Sequence, residues 1–504
     1  MKETPGKCTA FCRKNNESGT ILPLMLFSEN RYGGYMEKIE GINKWIKEWY
    51  DNNEASLDAF MQDLWDHPET GLNNTYAANA AYKFAETQGF NTMKLVRAGQ
   101  GLKENHENPN AVIAEFGSGK PVIGIVGELD ALPGLGQTRD PYRNFKEGPG
   151  QGCGHNLIAG ACMGAACALR YAMEKEGIKG TLRMVEAPGE EVGRGKSLLA
   201  FDGVFKDMDM AVMWHPGPAP FSTESQHGLV VMAANFVFHG VSAHAAGKPW
   251  IGRSALDAVQ LMNMGCEFLR EHVTPDCRFH YQITNGGAAP NIVPDYASVK
   301  YFCRSATPEG AKDLYRRVLN CANGAATMTE TQLDAGLIFQ IPYFYENIAL
   351  ASHLNEVAQQ IPDIEYTEEE KQWARDITKN YTGEEAPENI NEILAEPKRD
   401  FVGLDTEHLT CTDAADMSYF CPTAHIHGGG SVACSPGHHW VITACSGTQI
   451  GMKAAVRAGK VLAEGAFEAF GSPELIEKCW EEFRSLNIMP YDELYSFEMK
   501  PEEF

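Results

Sequence analysis

The chain has 504 residues, a net charge of -24, and 43% hydrophobic against 22% charged residues. Its length exceeds one domain and its composition is that of a folded globular chain, which excludes wholesale disorder. The negative charge, with no local basic patch against it, excludes phosphate backbones and anionic lipid surfaces, so neither nucleic acid nor membrane is expected as a partner.

Residues 1–35 carry turn formers without a helical period and are expected to form a disordered extension. The apolar run at 21–27 is too short to span a bilayer and no small-residue cleavage site follows it. Trp45, Ile46 and Trp49, then Leu57, Phe60, Met61 and Leu64, fall at helical spacing and predict two amphipathic helices ending at His67-Pro68-Glu69. β-Branched runs at 112–116 and 122–126 predict strands, the second of which delivers Glu128 and Asp130 to its C-terminal edge. A Gly-rich loop at 147–154 leads into a small-residue helix at 157–173, and 181–185 and 210–213 read as buried strands. Alternating strands and helices imply an α/β layer architecture.

Residues 230–337 have a different rhythm: strand 230–238, helix 254–272, strands 279–283 and 297–303, helix 309–322, strand 328–337. This βαββαβ order is the ferredoxin-like unit, and the α/β pattern resumes after it. The expected division is an extension at 1–35, a catalytic domain in two parts at 36–227 and 342–504, and an inserted domain at 228–341. The acidic stretch 365–400 reads as a solvated surface excursion. A long small-residue helix at 443–470 and a short amphipathic one at 474–486 close the chain. The 14 cysteines, several inside apolar runs such as Cys162, Cys167 and Cys266, lack the dense loops of a secreted disulfide scaffold. Reduced thiols and a cytoplasmic location are therefore expected.

A hydrolytic metal site needs several donors, a carboxylate free to handle protons, and an open position for water. Cys153 and His155 stand two residues apart in the Gly-rich loop, a thiolate–imidazole pair suited to zinc or a similar first-row metal. Taken alone, the same spacing describes a buried cysteine beside a capping histidine. Glu190-Glu191 follows a buried strand, where adjacent carboxylates repel unless a cation or a shared proton relieves them; a solvated charged turn is the alternative. His215 ends another strand at the edge where open α/β sheets bind ligands, or is a hydrogen-bonded strand end. The late turn Ser435-Pro-Gly-His438-His439 offers a further imidazole, and Asp130 is placed to orient a ligand from behind.

These segments resemble the M20-type metallopeptidases and amidohydrolases in order and spacing over residues 42–471. The matching motifs are His67-Pro68-Glu69, Glu128-Leu-Asp130-Ala-Leu-Pro133, Gly152-Cys-Gly-His-Asn156, Glu190-Glu191, His215 and Gly240-Val-Ser-Ala-His244. Asn156, the run Glu191-Val-Gly-Arg-Gly-Lys196, Thr412-Asp413 and Gly437-His438-x-Trp440 are similar to the branch that holds the B subunit of p-aminobenzoyl-glutamate hydrolase. The resemblance implies a three-layer α/β catalytic domain of the zinc-peptidase type with the ferredoxin-like insert as lid and dimerisation domain. It implies Cys153, His155, Glu191, His215 and His438 as ligands of two divalent metal ions, with His438 preferred to His439 because it follows Gly437. Glu190 would be the general base, His244 would hold the oxyanion, within one subunit or across a dimer interface, and Asn291 and Arg304 would hold the substrate carboxylate. Peptidase members carry a histidine two residues before the strand-end aspartate. Glu128 stands there instead, which favours manganese or a mixed pair over zinc, with cobalt also possible, whereas the thiolate leans to softer metals. The implied activity is hydrolysis of a small N-acyl amino acid, p-aminobenzoyl-glutamate first and dipeptides next, by a homodimer. A competing reading makes the chain a partner of a homologous second subunit, inactive alone.

Overall fold

The computed structural model describes residues 27–29, 35–222, 228–394 and 411–500. Most of the expected extension at 1–35 lies outside them. A short antiparallel strip, β1 (Phe27–Glu29), β2 (Tyr35–Ile39) and β3 (Ile42–Asn43), leads into α1 (Lys44–Asp66). This is one helix where the sequence predicts two. Tyr50 and Leu57 are seven residues apart, two helical turns, so the apolar stripe stays in phase across polar residues 51–54, none of which is Gly or Pro.

After α2 (Thr75–Glu86) the chain builds β4 (Thr92–Val96), β5 (Ala111–Ser118), β6 (Val122–Glu128), α3 (His155–Glu176), β7 (Gly180–Ala187), α4 (Gly195–Phe201) and β8 (Met210–Ser222). With β13 (Thr423–Gly430) these strands form one six-stranded sheet in the order β13-β8-β6-β7-β5-β4. β13, β8, β6 and β7 run parallel, and β5 and β4 are antiparallel additions at one edge. Parallel strands buried on both faces explain the unbroken apolar run of β6, all seven residues of which are buried.

One face is covered by α1, α3 and α10 (Gln449–Phe470). α3 is long and apolar enough to cross a membrane, but 89% of its most apolar window is packed inside the protein. Its small residues are what let the neighbouring helices approach: a Cβ on Gly160 would lie 2.3 Å from Met61 of α1. The predicted helix at 443–470 is divided into α9 (Trp440–Ser446) and α10, with Gly447 and Thr448 between them. The acidic stretch is not simply a solvated excursion. α8 (Glu368–Thr382) begins with a Thr367–Glu370 capping box and three glutamates in its first turn, where the helix dipole favours them, and buries Ala374 and Ile377 against Val441, Ala444 and Ile450. Residues 395–400 of that stretch lie outside the described ones.

The insert is a separate antiparallel sheet of β9 (Val230–His239), β10 (Arg278–Asn285), β11 (Tyr296–Ser305) and β12 (Gln332–Ile341) in the order β10-β11-β9-β12. This is the 4-1-3-2 arrangement of the ferredoxin-like unit. α5 (Ala255–Leu269) and α6 (Pro308–Thr329) pack on it through a core of its own that includes Phe236, Val259, Tyr301 and Leu314. Gly160→Val is expected to destabilise the protein by about 1–3 kcal/mol through overpacking against Met61, read as a lowered urea midpoint with an unchanged slope.

Candidate metal centre

Four loops at the C-terminal ends of the parallel strands converge on one crevice, the position where α/β sheets bind ligands. β6 ends at Glu128, and two residues on, Asp130 turns inward. Asp130 Oδ1 accepts from the Glu190 amide at 3.0 Å and Oδ2 from the Glu191 amide at 3.1 Å, so one carboxylate holds the loop that follows β7. The same Oδ1 lies 3.2 Å from His155 Nδ1, which turns His155 Nε2 toward the crevice.

Gly154, at φ +81° between Cys153 and His155, is in the left-handed region, and a Cβ there would come within 2.9 Å of Pro216. The absent side chain lets the loop seat against β8 and brings Cys153 Sγ to 3.3 Å from His215 Nε2. His215 Nδ1 is 2.6 Å from the Pro216 carbonyl, which only accepts, so Nδ1 carries the proton and the Nε2 lone pair faces Cys153. His438, at φ +50°, holds a conformation uncommon for a residue with a side chain, and its Nε2 is 3.4 Å from Glu191 Oε2. His439 instead caps α9 and meets the Tyr381 ring edge to face.

The donor spacings are those of ligands around shared ions. His155 Nε2 lies 3.4 Å from Glu128, 3.7 Å from Glu191 and 3.9 Å from Glu190. Two donors bound about 2.1 Å from one ion at a tetrahedral angle stand about 3.4 Å apart. Glu128 Oε2, His155 Nε2 and Glu191 Oε1 are buried without a hydrogen-bond partner, a costly arrangement for protein atoms alone. Three overlapping sets, Cys153–His155–His215, Cys153–Glu191–His438 and Glu128–His155–Glu190, each keep their donor atoms within 4.8 Å of one another.

Electrostatics agree. Burial raises Glu190 well above the usual carboxylate range, helped by the neighbouring Glu128 and Glu191, and burial lifts Glu191 to about 7. Burial lowers His215 to about 4 and pushes the Cys153 thiol up, with Glu191 adding to the latter. Glu128 is the exception: burial would raise it, but Lys196, followed by His155 and His215, overcomes that and holds it at about 2. A crevice whose acids hold protons is one in which a divalent cation displaces them. The thiolate and imidazoles suit zinc-like ions and the carboxylates harder ones, so the donor set fits a metal.

Cys153, His155, Glu190, Glu191, His215, His438 and Asp130 thus come together. Arg304, near the end of β11, points its guanidinium at Cys411, with Nη1 3.8 Å from Sγ; Cys411 is near enough to Glu190 to feel its charge, which puts Arg304 at the rim of the crevice. His244 and Asn291 stay in the insert. His244 is exposed, its Nδ1 accepts from the Ala246 and Gly247 amides at 3.2 and 2.9 Å, and the Ala245 amide donates to the Asn291 carbonyl at 3.0 Å. None of these hydrogen bonds reaches the crevice. Sequence reasoning missed the group behind the site: Lys196, fully buried, donates from Nζ to Glu128 at 2.6 Å and to Asp413 at 2.5 Å. A glutamate ending a fully buried strand demands a cation, but nothing in the spacing pairs it with Lys196.

Comparison with known proteins decides the family. Over 479 residues the chain is 32% identical to the B subunit of p-aminobenzoyl-glutamate hydrolase from Escherichia coli, covering 90% of this chain and 97% of the relative. It belongs to the M20 family. A family model described as a peptidase dimerisation domain matches residues 230–326, so the antiparallel insert of this M20 enzyme is that domain. The Xaa-Arg dipeptidase of Mus musculus is 26% identical, covering 89% of this chain and 93% of its own. Among solved structures, an aminobenzoyl-glutamate utilization protein from Klebsiella pneumoniae shares the fold with a TM-score of 0.59 at 17% identity, over 84% of this chain and 98% of that one. A dinuclear metal-binding M20 peptidase from Bacillus subtilis does so at 0.53 and 18%, over 83% and 99%. As a member of this family the chain is a metal-dependent hydrolase of amide bonds.

Replacing Lys196 with Met leaves Glu128 and Asp413 buried without their cation. A loss of about 3–5 kcal/mol is expected in chemical unfolding of the metal-free protein.

Proposed function

We propose that this enzyme hydrolyses the amide bond of an N-acyl amino acid, with p-aminobenzoyl-glutamate or a similar aryl- or acyl-glutamate as substrate, on two divalent metal ions. Manganese or zinc is the favoured metal and cobalt a further candidate. The observation that carries the role assignment is the unlike placement of the two adjacent glutamates. Glu191 spans His155 and His438, whereas Glu190 approaches His155 alone, at 3.9 Å. Glu191 is therefore a ligand with Cys153, His155, His215 and His438, and Glu190 is left free for protons.

The metal pair supplies Lewis acidity toward water and the substrate carbonyl when bound. Glu190 takes a proton from the attacking water and returns it to the leaving amine nitrogen. Asp130 positions both the Glu190–Glu191 loop and the His155 ring. His244, whose Nδ1 is occupied as an acceptor, carries its proton on Nε2, the tautomer needed to donate to a developing oxyanion. Its exposure in the insert supports service to a partner's crevice in a homodimer formed through that domain. Arg304, already at the rim, and Asn291 bind the substrate carboxylate.

The E. coli relative supports the acyl-glutamate reading, and the mouse Xaa-Arg dipeptidase supports a dipeptide as the second. The chain is also similar to the A subunit of p-aminobenzoyl-glutamate hydrolase from E. coli, 28% identical over 246 residues, which supports an alternative in which a homologous second subunit is the partner. The cytoplasm is the proposed compartment, in keeping with the free thiols.

Glu190→Gln is expected to lower kcat by about 10²–10⁴-fold while metal content is unchanged. Hydrolysis of acyl-glutamates, acyl-aspartates and dipeptides, assayed with manganese, cobalt and zinc supplied separately, tests the substrate class. Turnover of none of them by the chain alone would turn the reading toward the heteromeric alternative.

A further inference from the structure

We infer that Glu128, aimed by the buried Lys196, is a further metal-binding carboxylate of this crevice, and that it makes the two metal positions chemically unlike. The inference rests on the metal-site reading above and goes beyond its five ligands.

Glu128 is fully buried at the end of β6, and its two oxygens have different surroundings. Oε1 accepts from Lys196 Nζ at 2.6 Å. Oε2 has no hydrogen-bond partner and lies 3.4 Å from His155 Nε2, an atom that is itself buried and unpartnered. The carboxylate cannot swing away, because Lys196 is held from behind: its Nζ donates to Asp413 Oδ1 at 2.5 Å and its own amide donates to Asp413 Oδ2 at 2.9 Å. The clamp thus uses one oxygen of Glu128 and presents the other, bare, to the space that His155 and Glu190 also face. A buried carboxylate oxygen left bare is unfavourable unless a cation meets it.

Chemistry separates the two ends of the crevice. Cys153 and His215 offer a thiolate and an imidazole, soft and borderline donors. Glu128, with His155 and Glu191, offers mainly oxygen, which suits a harder ion such as manganese(II). The lysine's charge, shared between Glu128 and Asp413, offsets part of the negative charge that the added oxygen ligand brings.

The full-length protein, stripped by chelation, would be titrated with manganese(II) followed by electron paramagnetic resonance, and with zinc followed by calorimetry. Wild type, Glu128→Gln and Glu128→Asp are compared. The aspartate keeps a charge for Lys196 and so guards against loss of the fold, but its shorter side chain withdraws the oxygen from the crevice. Both variants are expected to bind manganese at least ten-fold more weakly while the first equivalent of zinc binds within two-fold of wild type. Should Glu128→Gln not fold, Glu128→Asp decides alone. Manganese affinity equal to wild type in the folded variants would overturn the role of Glu128 and leave the five-ligand site standing. A wild-type protein that takes up neither metal would overturn the metal site itself.

Discussion

The organisation of this molecule hangs on how negative charge is tolerated inside it. Glu128, Asp130, Glu190, Glu191 and Asp413 meet at one end of a sheet whose strands are otherwise apolar, and water does not reach most of them. They are accommodated in three ways. Asp130 is met by two backbone amides and an imidazole, Glu128 and Asp413 share a lysine, and Glu190 and Glu191 are raised by burial above the usual carboxylate range. Burial makes these answers consequential, because an uncompensated charge here costs several kcal/mol where the same charge at the surface costs little. On the proposed reading this compensation also separates roles: Glu128, clamped by Lys196, would bind metal, and Glu190, which has no such clamp among the described residues, would move the proton.

That arrangement depends on close approach elsewhere. The loops after β6, β7 and β8 can converge because the parallel strands end together, and because α3 starts within the crevice at His155. α3 in turn lies close on the sheet, where a Cβ on Gly127 of β6 would come within 2.8 Å of Cys162, and close to α1, where Gly160 admits Met61. A bulkier helix would lift His155 off Asp130 and detach the imidazole from the acid that orients it. Core packing and site geometry are here the same constraint, felt first in the placement of His155.

Much of this is legible in the amino-acid sequence, and unevenly. The ferredoxin-like insert is readable because strand and helix periods differ sharply in 230–341, with buried and less buried residues alternating along 234–239 of β9 and 299–305 of β11. The donors are readable as residues at strand ends and in glycine loops, but no single one is decisive: Cys153 and His155 acquire meaning when His215, from a different strand, lies across from them. The single helix α1 and the packed α8 escape simple reading because polar residues in a good helical frame do not break it, and because acidic residues in a first turn are stabilising there. Lys196 is legible only as the end of a motif, and its role escapes. A lysine between glycine and serine reads as surface, and its burial follows from two acids supplied by distant segments, which no local pattern encodes.

The insert ties assembly to the same crevice. Arg304 reaches the rim from β11, so the two domains share a boundary at the site, yet His244 and Asn291 satisfy themselves within the insert. An exposed imidazole with its tautomer already set by two backbone amides is prepared to donate a hydrogen bond outward from its own domain. On the same domain Met264 and Phe268 of α5 are exposed, as are Trp250 and Ile251 beside the His244 loop. Apolar side chains in that number on a domain of the dimerisation type are a surface made to be covered. On the homodimer reading proposed above, the exposed apolar side chains and the exposed His244 belong to the same domain, so assembly and catalysis would draw on one domain.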